Sequence, residues 1–261
     1  MKQYDAYLFD LDGTIYRGSR VIPEALRFVR YLKQESIPFL YVTNNSSLPP
    51  ERVAERLTAM GLPTQAQDVY TSSMATAAFL KQQLAPAAPL YVIGETGLIT
   101  ALEQAGFTFA EDQPQAVVVG IDRTFNYDKL AVASRAIRRG ALFVATNGDA
   151  ALPTENGLVP GNGALVAAVR VASGAQPIVV GKPNRWIIDF ALQHLGAERE
   201  RTLLVGDNLH TDIEAAANSG LDSLLVLTGY STAADVEQHP VKPTYLADNL
   251  WEWHKHAQSI R

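Results

Sequence analysis

Short apolar runs, each about a strand long, alternate with stretches whose apolar residues recur every three or four positions. Residues 6–9 read as a first strand. Residues 23–35 read as a helix, with Pro23 near its start and Ala25, Leu26, Val29 and Leu32 on one stripe. A strand over 38–43, a helix over 50–60 closed by Gly61, a strand over 69–71 and a helix over 73–84 follow. The run Ala85-Pro86-Ala87-Ala88-Pro89 then breaks the pattern, and a new series begins. It predicts strands over 90–93, 116–120 and 142–146, with helices over 97–104 and 127–138. After Pro177 the first pattern resumes, with strands over 178–180, 202–205 and 224–227 and helices over 186–195 and 213–219, the last closed by Gly220.

Strands alternating with helices imply parallel βαβ units. The expected fold is therefore α/β, a Rossmann-like doubly wound parallel sheet interrupted by an inserted second α/β unit. The first unit takes residues 1–80 and 179–261, and the insertion takes 81–178. With 261 residues, 47% of them hydrophobic, the chain can bury cores for one or two domains.

Charge and cysteine content narrow the function classes. The net charge is −5 and no basic stripe or tail occurs, so nucleic acid is not an expected partner. The absence of cysteine excludes disulfides, thiolate metal sites and cysteine nucleophiles. Met1-Lys2-Gln3-Tyr4-Asp5 reaches an acid too early for a secretory signal, and no apolar stretch is long enough to span a bilayer. The expectation is a cytoplasmic protein that does not enter the membrane.

Four of the expected strands end in polar groups: Asp10-Leu11-Asp12-Gly13-Thr14, Thr43-Asn44-Asn45-Ser46-Ser47, Gly181-Lys182-Pro183, and Gly206-Asp207-Asn208-Leu209-His210-Thr211-Asp212. Open α/β sheets place ligands at the carboxyl ends of their strands. If all four strands share one parallel sheet, four carboxylates and one ammonium converge at one edge. Clustered carboxylates repel one another unless a cation or a shared proton offsets them. Asp10 and Asp207 suit two ligands of a hard cation such as Mg²⁺ or Mn²⁺, with a backbone carbonyl near Asp12 as a third. Lys182 and Thr43 suit phosphoryl oxygens, and Gly13 leaves backbone donors accessible. One aspartate could attack phosphorus while a second carboxyl, with Asp12 the natural candidate, protonates the leaving oxygen and activates water. Each motif alone also has a plain structural reading. Lys182 could sit in a surface turn, Thr43-Asn44 could close a strand, and Asp212 could cap the helix expected from Ile213. His210 reads as a bystander. His194, His239, His254 and His256 show no ligand spacing and read as surface residues, and Trp251 and Trp253 as packing.

Taken together, the four motifs resemble those of the haloacid dehalogenase superfamily of phosphatases, in order and across essentially the whole chain. The resemblance implies Asp10 as nucleophile and metal ligand. It implies Asp12 as general acid and base with its carbonyl on the metal, and Thr43 and Lys182 as phosphoryl contacts. Asp207 would be the other metal carboxylate, and Asp212 would act on the metal indirectly. An aspartate at position 12 argues against dehalogenation. The insertion between the Thr43 and Lys182 motifs is similar to the C2-capped branch, that of NagD-type and 4-nitrophenyl phosphatase-like proteins. Ala145-Thr146-Asn147-Gly148-Asp149 and residues 153–161 resemble that cap, which implies substrate contacts from Asn147 and Asp149 beside Asn44 and Asn45. A tight turn at Asn147-Gly148-Asp149 is the competing reading.

The expected activity is a magnesium-dependent phosphomonoester hydrolase for small phosphorylated metabolites, as a monomer or as a homodimer through the cap. The rivals are a signalling receiver domain, which needs about half this length, a phosphometabolite-binding protein without turnover, and a phosphomutase.

Overall fold

The computed structural model describes residues 2–154 and 157–259. In chain order they form β1 (Ala6–Phe9), β2 (Tyr16–Arg17), β3 (Arg20–Val21), α1 (Pro23–Gln34), β4 (Phe39–Thr43), α2 (Pro50–Ala59), β5 (Val69–Thr71) and α3 (Ser72–Gln83). Next come β6 (Pro89–Ile93), α4 (Thr96–Gln104), β7 (Thr108–Phe109), β8 (Ala116–Val119), α5 (Tyr127–Arg138) and β9 (Leu142–Ala145). These are followed by β10 (Ala151–Thr154), β11 (Gly157–Pro160), α6 (Asn162–Ser173) and β12 (Ile178–Val179). The chain closes with α7 (Arg185–Leu195), β13 (Thr202–Gly206), α8 (Glu214–Ser219), β14 (Asp222–Val226), α9 (Ala233–Gln238), β15 (Tyr245–Ala247) and α10 (Leu250–Ser259).

Contacts divide the chain into two units. The first holds the chain up to Thr43, Val53–Tyr70 and the chain from Lys182 on; the second holds Asn44–Arg52 and Thr71–Gly181. The first unit is built on a six-stranded sheet of order β15-β14-β13-β1-β4-β5. β1 runs parallel to β13 and β4, with Leu8 opposite Leu204 and Leu40, and β14 runs parallel to β13 and β15. Every residue of β1, β4 and β13 is buried, the continuous apolar run of a parallel strand covered on both faces. Behind β1 an aromatic cluster fixes the helices. Phe28 of α1 meets Tyr7 edge-on at 5.4 Å and Trp253 of α10 at 5.8 Å, so Trp253 packs as its apolar surroundings predict.

The second unit has its own five-stranded parallel sheet, ordered β12-β9-β8-β6-β7. Val117, Val119, Phe143 and Ala145 form a core with Ala133 and Ile137 of α5 and Val169 of α6. β10 and β11 form an antiparallel hairpin, with Leu152 opposite Val159.

Three expectations are corrected here. The strand over 178–180 does not belong to the first sheet: β12 pairs with β9, Ile178 opposite Val144, in the second. A short apolar run carries no signal of which sheet it joins. The helix expected over 213–219 is preceded by a π-helical turn, Leu209–Ile213, that keeps Asp212 out of the α8 cap. The Ala85–Pro89 break is also not where contacts divide the chain, because α3 packs on α4 and goes with the second unit.

Candidate active site

Lys182, the first residue of the returning chain, buries its ammonium at the carboxyl edge of the six-stranded sheet. Only 2% of its side chain is exposed. Nζ donates to Asp10 Oδ1 at 2.6 Å, Asp212 Oδ1 at 2.7 Å and the Val42 carbonyl at 3.1 Å. Asp10 follows β1, its N–H bonded to Val205 O of β13, so two neighbouring strands fix its backbone. Asp10, Lys182, Asp207 and Asp212 meet at this edge, Lys182 from the loop after β12.

Asp212 stands inside the π-helical turn. Its Oδ2 accepts the backbone N–H groups of Asp207 and Asn208 at 3.2 and 3.1 Å, while its other oxygen meets Lys182. Asp207 follows β13 and accepts from Tyr230 N at 2.6 Å and from Thr14 Oγ1 at 3.3 Å. Gly13 and Gly229 press against its carboxylate so closely that a Cβ at either would fall on it; Gly13 also has a φ of +87°. The loop Thr228-Gly229-Tyr230-Ser231 is part of the site and was not read from the sequence. Its signal is the same as that of the four motifs, an apolar strand running into Thr and Gly.

Ligand oxygens of Asp10, Asp207 and Asp212 all lie within 4.8 Å of one another. Burial raises the Asp10 carboxyl well above the usual range, Lys182 pulls it down, and Asp212 and Asp207 push it up again. Burial, then Asp212, pushes Asp207 up to about 7, against the Tyr230 N–H and Lys182. For Lys182, burial favours the neutral amine, but Asp10 and Asp212 outweigh it and hold the ammonium charged. With all three carboxyls ionised, one ammonium would leave two negative charges in excess. An oxygen-only donor set with that excess fits a hard divalent cation.

The Asp12 carboxylate lies outside this cluster and keeps solvent access. Desolvation by its surroundings raises it above the ordinary value. Arg56 and the Gly18 and Gly13 N–H groups pull it back. Arg56, also unread from the sequence, lies 5.1 Å over the Tyr16 ring and donates to the Gly18 carbonyl, which fixes the β2–β3 flap. Thr43 is buried at the end of β4, beside the end of β1.

Asn44, Asn45, Asn147 and Asp149 belong to the second unit. Asn44 Nδ2 reaches both Asp149 oxygens at 3.2 Å, and the Asn44 carbonyl accepts from Asn147 Nδ2 at 2.8 Å. Asn45 Oδ1 accepts from Ser47 N and Oγ, an Asx turn. Asn147 Oδ1 likewise accepts from Asp149 N at 3.1 Å. Glu155 and Asn156 of the cap motif lie outside the described residues. His239 and His254 are buried, against the expectation that they lie on the surface, because α9 and α10 fold them inward.

Residues 7–108 match the haloacid dehalogenase-like hydrolase family, and residues 179–253 the HAD-hydrolase-like family. The chain is 48% identical over 253 residues to the 5'-nucleotidase YutF of Bacillus subtilis, covering 97% of this chain and 98% of that one. This chain belongs to the haloacid dehalogenase-like hydrolases. Its structural likenesses agree. A thermostable NPPase of Geobacillus stearothermophilus superposes with a TM-score of 0.91 at 44% identity, covering 97% of this chain and 99% of that one. The glycerol phosphate phosphatase of Mycobacterium tuberculosis, solved in complex with magnesium, superposes at 0.89 and 40% identity, covering 95% and 75%. The named relatives are phosphatases, and the α/β fold with its parallel sheets is theirs. No helix among the described residues is long and apolar enough to cross a membrane.

Proposed function

We propose that this family member hydrolyses phosphomonoesters of small metabolites through an aspartyl-phosphate on Asp10. The observation that carries the reading is the buried Lys182 ammonium, held 2.6 Å from Asp10 and 2.7 Å from Asp212 with Asp207 in the same cluster. An Asp10 oxygen forms the bond to phosphorus as the bond to the leaving oxygen breaks. Asp12, whose raised carboxyl can hold a proton, gives it to that oxygen and then takes one from the water that releases phosphate. Lys182 and the Thr43 hydroxyl hold phosphoryl oxygens, and Gly13 opens backbone donors to them.

Asp10, Asp207 and the Asp12 carbonyl would hold Mg²⁺, with Asp212 acting through its hydrogen bonds; Mn²⁺ offers the same oxygen preference. The cation supplies charge neutralisation for the phosphoryl group. In this reading the first unit is catalytic, and the second, with Asn44, Asn45, Asn147 and Asp149, selects the substrate as a cap. The place of action is the cytoplasm; recovery in the membrane or the medium on fractionation would count against that.

The deciding assay is phosphate release from 4-nitrophenyl phosphate and a panel of phosphometabolites, with Mg²⁺ or EDTA, for the wild type and Asp10→Asn. Metal-dependent release that disappears in Asp10→Asn is expected. Metal-saturated, folded protein that releases nothing from any substrate would favour a binding role. Phosphoryl transfer to a sugar in place of water would favour a mutase.

A further inference from the structure

A second group of metal-competent side chains stands in the first unit, apart from the Asp10 cluster. His210 lies in the π-helical turn Leu209–Ile213, Glu214 opens α8 and His239 follows α9. Their ligand atoms all lie within 4.8 Å of one another. His239 Nε2 is 3.2 Å from His210 Nδ1 and 3.2 Å from Glu214 Oε1, and His210 Nδ1 is 3.7 Å from the same oxygen. A tetrahedral ion with bonds of about 2.0–2.2 Å to nitrogen and oxygen separates its ligands by about 3.4 Å. The three observed edges bracket that value.

The backbone of Val241 meets the outer nitrogen of the His239 ring. His239 Nδ1 is 2.9 Å from the Val241 carbonyl and 3.2 Å from the Val241 N–H. In the tautomer that donates Nδ1–H to the Val241 carbonyl, the Nε2 lone pair faces a second imidazole and a carboxylate. An imidazole whose far N–H is bound to a backbone carbonyl is the usual arrangement of a metal-ligating histidine. The His239 side chain is 6% exposed and that of His210 68%, so one ligand is held firmly while the other leaves an entry path.

We propose that His210, Glu214 and His239 form a site for a divalent transition metal of the Zn²⁺ class, with the fourth position open to solvent. Imidazole nitrogen suits Zn²⁺ and disfavours Mg²⁺, so the two clusters take different metals. Leu209 and Ile213 pack with Leu225 and Val236 beside the trio, so a bound ion ties the turn that carries Asp212 to α9.

The test is calorimetric titration of chelator-stripped protein with Zn²⁺ in saturating Mg²⁺, repeated with Co²⁺ by visible absorption. One Zn²⁺ per chain is expected, retained in Asp10→Asn, with a tetrahedral Co²⁺ spectrum and a Zn²⁺-dependent rise in Tm. His210→Ala, at an exposed position, and Glu214→Gln should weaken Zn²⁺ binding by at least about tenfold and abolish the Tm rise, with circular dichroism unchanged. Absence of Zn²⁺ binding in Mg²⁺, undiminished binding in both variants, or loss of binding in Asp10→Asn would each overturn the site.

Discussion

The backbone of Gly13, just after the first strand, lies in contact with the carboxylate of Asp207 at the end of β13. The contact leaves no room for a Cβ, and the φ of +87° penalises one independently. Gly13→Ala should therefore lose about 1–2 kcal/mol from the left-handed backbone alone. It should also displace Asp207 and weaken Mg²⁺ binding by at least about tenfold. Denaturant unfolding and Mg²⁺ titration check both parts; a variant with wild-type Mg²⁺ affinity would show that the carboxylate has freedom to move.

Lys182 compensates two carboxylates at once. Lys182→Met should abolish phosphate release to below about one hundredth of wild type and cost about 3–5 kcal/mol, because two buried carboxylates lose their counter-charge. Lys182→Met with Asp212→Asn should recover part of that stability and none of the activity. A double-mutant cycle reads the coupling, and strictly additive losses would mean that the ion pair contributes nothing of its own.

Asp207, pushed up to about 7 by burial and by Asp212, makes stability depend on pH in a definite sense. An unfolded aspartate titrates near 3.9, so the folded value is the higher one. The stability this group contributes is fully present below about 3.9 and is lost as pH rises through about 7. In EDTA the Tm should fall between about pH 5 and pH 8, and the rise produced by Mg²⁺ should be larger at the higher pH. Equal Mg²⁺ effects at both pH values would show that Asp207 is already ionised.

Asp122 lies in the second unit and accepts from Lys129 Nζ at 2.5 Å, Thr124 Oγ1 at 2.7 Å and Thr124 N at 2.8 Å. Burial opposes its charge, but Lys129 and Thr124 prevail and hold the carboxyl below its usual value. Asp122→Ala should cost about 1–3 kcal/mol by stranding these donors. Phosphate release at saturating substrate and 25 °C should stay within twofold of wild type, about 0.4 kcal/mol. A large kcat loss with an unchanged Tm would reveal a role in turnover.

What the sequence made legible was local. The Ala6–Phe9 run, all apolar and ending in Asp10, declared both a buried strand and a ligand edge. The proline at the start of α1 and the glycines after α2 and α8 marked helix ends to within a residue or two. Information held only in pairing stayed hidden. Ile178–Val179 is apolar whichever sheet it joins. Asn162–Ser173 mixes glycine, alanine and valine without a clear stripe, so α6 went unread; its burial comes from packing on α5. Asp212 could have been a helix cap by spacing, and only the π-helical turn directs it to the Asp207 and Asn208 amides. His239 is buried because α9 ends against the turn after β13, a fact no local pattern encodes.

The central pairing of the first sheet has a consequence for synthesis. Ala6 of β1 leaves the ribosome 196 residues ahead of Thr202, its opposite in the neighbouring strand β13. At elongation speeds of about 5–20 residues per second, β1 waits roughly 10 to 40 seconds for that partner. The strands of the second sheet come from one contiguous stretch, Pro89 to Val179, and can close during the interval. A ribosome that stalls before Thr202 therefore leaves a chain with a finished second sheet and an apolar β1 edge exposed, a ready target for chaperones or for aggregation.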